Sequence, residues 1–109
     1  GFAGAQFNLG LMYAEGKAVT QDYKEALKWY TKAAEQGDAG AQFNLGRMYY
    51  IGKGVLQNHI EAHKWWNLAA AQGNESAKQA RDASITLMSP EQIAEAQRLS
   101  REFTPKIQK

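Results

Sequence analysis

The chain has 109 residues, 44% hydrophobic and 22% charged, with a formal net charge of +2 and no cysteine. That length suits one domain, residues 1–109. The missing cysteines exclude disulfide scaffolds, thiolate nucleophiles and thiolate metal sites, and Lys and Arg mixed with Asp and Glu do not make the one-sided basic patch that nucleic acid needs. No apolar run approaches the ~20 residues of a membrane span, and nothing resembles a signal peptide. The compartment stays open between cytoplasmic and periplasmic or secreted.

The first predicted helix covers roughly Ala3 to Ala14, with Ala5, Leu9, Met12 and Tyr13 on one face. Gly16 ends it, and residues 16–21 form a loop. Asp22 then caps a second helix, with Glu25 three residues on to complete a capping box. Its apolar stripe is Tyr23, Ala26, Leu27, Tyr30, Ala33 and Ala34, and Gly37 follows where the chain must turn left-handed.

At Ala39 the sequence starts over. Residues 3–38 and 39–74 align without a gap, with 22 of 36 positions identical. The second unit predicts a helix over about Ala39 to Ile51, a loop over residues 52–57, and a capping box at Asn58 and Glu61. Its second helix ends near Gln72. A period of this length marks a stack of helix-turn-helix units, and such stacks build extended binding surfaces. Gly10 and Gly46 fall inside the first helix of each unit, where glycine costs about 1 kcal/mol relative to alanine. The expected reason is close approach of the second helix through its alanines: Ala26, Ala62 and the pairs 33–34 and 69–70.

Residues 75–88 predict a divergent third first-helix, with Arg81 where Leu9 and Leu45 stood. Ser89, Pro90 and Gln92 then open a last helix running to about Phe103, and Thr104-Pro105 stops it. Residues 75–109 therefore read as a terminal helix pair capping the stack. The chain begins inside the repeat pattern without an initiator Met, so we expect a piece of a longer repeat protein.

The A-x-A-Q-x-x-L-G-x-x-Y, G-K-G-V, D/N-x-x-E-A-x-K-W and A-A-x-Q-G segments resemble the Sel-one-like repeat (SLR) family, a relative of the tetratricopeptide repeats. The resemblance spans residues 3–74 and implies an all-α, right-handed α-solenoid of helix-turn-helix repeats. It also implies adaptor work on a protein or peptide partner, without a cofactor or catalysis. The first loop departs from the pattern, with Ala18 where the second has Gly54, which predicts strain. By analogy with the first helix of a tetratricopeptide unit, Asn8 and Asn44 are expected either to line a concave groove and bond a peptide backbone or terminal carboxylate, or to make a local hydrogen bond between repeats. Gln6 and Gln42 stand beside them, and Arg47, Lys78 and Arg81 supply charge from nearby turns. A carboxylate clamp is not supported, because the positions for its cations hold Gly4 and Gly40.

Other motifs have plainer readings. Trp29, Trp65 and Trp66 sit at core spacing. His59 and His63 are one turn apart, but align with the packing residues Tyr23 and Leu27 and have no evident third metal ligand. Phe7 and Phe43 pack between repeats or face the groove. Two alternatives accompany the adaptor reading. A cysteine-rich branch of the family is associated with β-lactam binding and hydrolysis, but those cysteines are missing here. The other is a self-associating segment of an envelope complex, driven by Phe2 and Phe7.

Overall fold

Left-handed backbone sets the ends of the first four helices: φ is 70° at Gly16, 100° at Gly37, 85° at Gly52 and 94° at Gly73. A computed structural model describes residues 2–106, so Gly1 and residues 107–109, the ends of the expected domain, lie outside the described residues. The helices are α1 (Phe2–Glu15), α2 (Tyr23–Glu35), α3 (Ala39–Ile51), α4 (His59–Ala71), α5 (Glu75–Ser84) and α6 (Pro90–Glu102), with a 3-10 turn at Ile85–Leu87. The architecture is an all-α solenoid, as the repeat predicts.

Each junction between repeats is a Schellman turn. Gly37 N–H donates to Ala34 O and Asp38 N–H to Ala33 O; Gly73 and Asn74 repeat this on Ala70 and Ala69. The same Asp38 and Asn74 then cap the next helix, their side chains accepting from Ala41 N–H and Ala77 N–H at 2.8 Å. One short polar residue thus ends one helix and starts another, leaving no slack between repeats.

The capping boxes expected at Asp22 and Asn58 are only half formed. Both side chains accept from the backbone N–H of the Glu three residues on. The return bond is missing because the caps' own N–H groups donate to Tyr13 O and Tyr49 O, at 2.9 and 2.8 Å. Gln21 and Gln57 fasten the same loops through Ala14 O and Tyr50 O, each at 2.8 Å. The loop is therefore sewn to the helix before it. Ser89 and Gln92 make the complete box, as predicted.

Packing follows from the interior glycines, by a different partner than the alanines expected. The Tyr30 ring lies on Gly10 and the Trp66 ring on Gly46: a methyl group at either glycine would sit 2.5 Å from the ring. Trp66 Nε1 reaches on to Phe43 O at 3.1 Å. The alanines Ala26, Ala33, Ala34, Ala62 and Ala69 are fully buried, but they form the flat remainder of the contact. Burying Leu45 and the two aromatic rings contributes about 1.5–3 kcal/mol each, which outweighs the roughly 1 kcal/mol that each helical glycine costs.

The loop of the second unit docks on the first unit. Lys53 Nζ lies 4.8 Å from the Tyr23 ring centre and 3.4 Å from its hydroxyl. At Gly54 a β-carbon would come within 2.6 Å of Tyr23 O. The G-K-G spacing is thus an inter-repeat joint. Ala18 adopts the same left-handed geometry, φ 65°, and is the one non-glycine with positive φ among the described residues.

The last helices depart from the repeat. α6 packs along α4, with Phe103 edge-on to Trp65 at 5.6 Å. The tail then runs back to the first unit. Lys106 N–H donates to Glu35 O at 2.7 Å, an otherwise orphaned carbonyl at the end of α2, and its ammonium pairs with the Glu35 carboxylate at 3.2 Å.

Candidate functional site

A helix wedged between two others holds those two apart. α2 packs against both α1 and α3, and α4 against both α3 and α5. The first helices of successive units are therefore separated by clefts whose floor is an aromatic residue of the wedge. The first cleft, about 240 Å³, lies between α1 and α3 over Tyr30. The second, about 520 Å³, lies between α3 and α5 over Trp66. Tyr30 and Trp66 are 36 residues apart, so the clefts are the same feature made twice. Arg47 and Ile51, one turn apart on α3, line both and form the ridge between them.

Asn44 lines the first cleft with Tyr30 and is half-buried. Burial pushes the Tyr30 hydroxyl above the usual phenol range. The Asn44 side chain opposes the rise, Glu15 adds to it and Arg47 opposes it. Tyr30 is thus a neutral hydrogen-bonding group at neutral pH. Lys53 and Tyr23 complete the polar edge. Asn8 is exposed on α1 and lines neither cleft.

The two glutamines expected in the groove are not there. Gln6 and Gln42 are 5% and 1% exposed. Gln42 donates to Ala34 O at 3.1 Å and accepts from Gln72 Nε2 at 3.0 Å; Gln6 accepts from Gln36. Both side chains turn inward to bond the glutamine that follows the wedge helix, Gln36 after α2 and Gln72 after α4. Arg81 also leaves the groove set. Its guanidinium pairs with Asp82 at 3.0 Å and reaches Asn67 of α4 at 3.5 Å. Lys78 is exposed on α5 outside both clefts. Arg47 alone of the three expected cations stands in the clefts.

The sequence reading missed Tyr23, Tyr50, Ile51 and Lys53; Trp66, read as core, is 3% exposed and also floors the second cleft. Trp66 and Tyr30 carried a signal: each aligns with the other and faces a helical glycine. Lys53 gave none, because its place depends on how the loop folds onto Tyr23. Phe43 lines the second cleft, whereas Phe7 packs between repeats, on Tyr30 at 6.0 Å and against Gly40. The hydroxyls of Ser84, Ser89 and Ser100 are committed to backbone groups. His63 is buried and His59 packs edge-on to Tyr50 at 5.2 Å.

The Sel1 repeat family model matches residues 3–38 and 39–74, the two units read from the sequence. The chain resembles the structure of c5321, a protective antigen of uropathogenic Escherichia coli strains displaying an SLR fold. Identity is 35% and the TM-score 0.90, over 93% of this chain and 22% of that one. It also resembles a Sel1 repeat protein from Oxalobacter formigenes, at 43% identity and TM-score 0.73, over 74% of this chain and 23% of that one. The chain thus spans less than a quarter of either protein. No curated protein matches it.

Proposed function

Because the chain belongs to the Sel1 repeat family, whose members generally act as non-catalytic protein-interaction scaffolds, we propose that it holds a peptide segment of a partner protein across the two clefts. The observation that carries this reading is the repetition itself. Two like clefts share the Arg47–Ile51 ridge, and a chain laid across the ridge meets the same type of pocket at a fixed interval. Asn44 offers both a donor and an acceptor to its backbone. α5 supplies the far wall of the second cleft, and in this reading residues 75–109 close the stack.

A random-peptide phage library panned on the immobilised chain tests the reading. Enriched peptides are expected to lose binding to Asn44→Ala and to Ala83→Trp, which fills the second cleft, while circular dichroism shows both variants folded. No enrichment, or peptides retained equally by folded variants, would overturn it.

A further inference from the structure

Resting on that reading, the two clefts differ in chemistry, and the difference specifies a ligand. We propose that the bound segment is acidic and amphipathic: it places an aspartate or glutamate at the Arg47–Lys53 edge of the first cleft and a bulky apolar side chain in the second.

Among the described residues, neither Arg47 nor Lys53 has a carboxylate within ion-pair distance. Lys53 is steered to the cleft edge by the Tyr23 ring. Arg47 is exposed, its guanidinium 5.8 Å from the Phe43 ring centre. The one acidic residue of the cleft, Glu15, lies 3.7 Å from the ammonium of Lys17. Two cations without a carboxylate partner therefore line the first cleft together with Asn44. A carboxylate there gains charge-assisted bonds that a neutral amide does not.

Moving one unit along, Ala14 becomes Tyr50, Glu15 becomes Ile51 and the floor Tyr30 becomes Trp66. On the facing wall Asn44 becomes Ala80 and Arg47 becomes Ala83, which removes an amide and a charge and opens room, while Arg47, Ser76, Gln79 and Ser84 supply the polar part of the lining. Tyr50 leans on Trp66 at 5.5 Å, and Ile51 remains 52% exposed. Directly packed helices lie roughly 8–10 Å apart, and the wedges α2 and α4 set α1, α3 and α5 at least that far from one another. An extended chain at ~3.3 Å per residue therefore crosses the ridge in about three residues or more, which puts the acidic and apolar residues about three to six positions apart.

Fluorescence anisotropy with short labelled Ala/Ser peptides tests this. Each carries one Glu and one Leu or Phe, about three to six residues apart, with Gln, Lys or Ala replacements. Changing Glu to Gln is expected to weaken binding roughly fivefold or more, and to Lys further. Added salt narrows the difference. Arg47→Glu reverses the order, so that the Lys peptide binds best. Ala83→Trp erases the preference for Leu or Phe over Ala and keeps the preference for Glu. Equal binding of Glu, Gln and Lys peptides, with clefts still required, would overturn this inference and leave the peptide-scaffold reading standing. Absence of binding by every peptide, together with an unenriched phage library, would overturn both.

Discussion

Ala18 and Gly54 occupy the same turn with opposite consequences. A left-handed backbone costs an L-residue about 1–2 kcal/mol, and Ala18 holds φ 65°. Glycine relieves that strain, offset by about 0.5–1 kcal/mol of extra chain entropy. Ala18→Gly is therefore expected to stabilise the fold by about 0.5–1 kcal/mol in urea unfolding. Gly54→Ala adds the strain and also drives a methyl group to within 2.6 Å of Tyr23 O, so it is expected to cost at least about 2 kcal/mol. If the two substitutions shift stability by equal and opposite amounts, the contact with Tyr23 contributes nothing. The strain at Ala18 was legible in the sequence as a departure from the second loop. The contact at Gly54 was not, because it joins residues of different repeats.

His63 is a second residue whose consequences can be measured. It is 2% exposed and its Nδ1 has no partner. Burial lowers its pKa from the usual 6.5; the Arg81 charge adds to the fall and Asp82 opposes it. The unfolded chain takes up the proton near pH 6.5 while the folded chain resists it. Stability is therefore full above the unfolded value and declines as pH falls from about 6.5 toward the lower folded value. Leu27 fills the equivalent place in the first repeat. Thermal melts at about pH 7 and pH 5.5 should show His63→Leu losing clearly less stability than the parent on acidification. Parallel losses would remove His63 as the cause.

At the scale of elements, the joints between helices rely on buried amides as well as apolar surface. Gln42 bonds the end of α2 and the cap of α4, whereas Gln6 bonds Gln36 alone. Gln42→Ala should therefore cost about 2–3 kcal/mol, against about 1 kcal/mol for Gln6→Ala. Equal losses in urea unfolding would mean that the two-sided bonding of Gln42 adds nothing. Helix existence, order and most ends could be read from periodicity, glycines and caps, because those signals are local. The glutamines misled because identical residues at a repeat position suit a ligand surface and an internal joint alike. What separates them is the rotation of α3 against α2, which no local pattern encodes. The half-formed capping boxes failed for the same reason: Tyr13 and Tyr49 compete for the N–H of each cap from a neighbouring helix.

At the scale of the molecule, wedge packing makes the proposed binding surface. An aromatic residue on a helical glycine sets each second helix between two first helices, and the space left over is the cleft. Arg47 was picked out from the sequence as a charge near Asn44. Its position on the ridge between two clefts emerges only when α1, α3 and α5 are placed side by side. Lys78 and Arg81 are as cationic, but α5 turns them out of the clefts.

The most direct measurement is a ¹H–¹⁵N correlation titration of the labelled chain with an acidic, apolar peptide from the anisotropy series. The account predicts shifts concentrated on Asn44, Arg47, Tyr50, Ile51, Ala80 and Ala83, with α6 unchanged. Shifts centred on α6 or on the outer sides of α2 and α4 would contradict it.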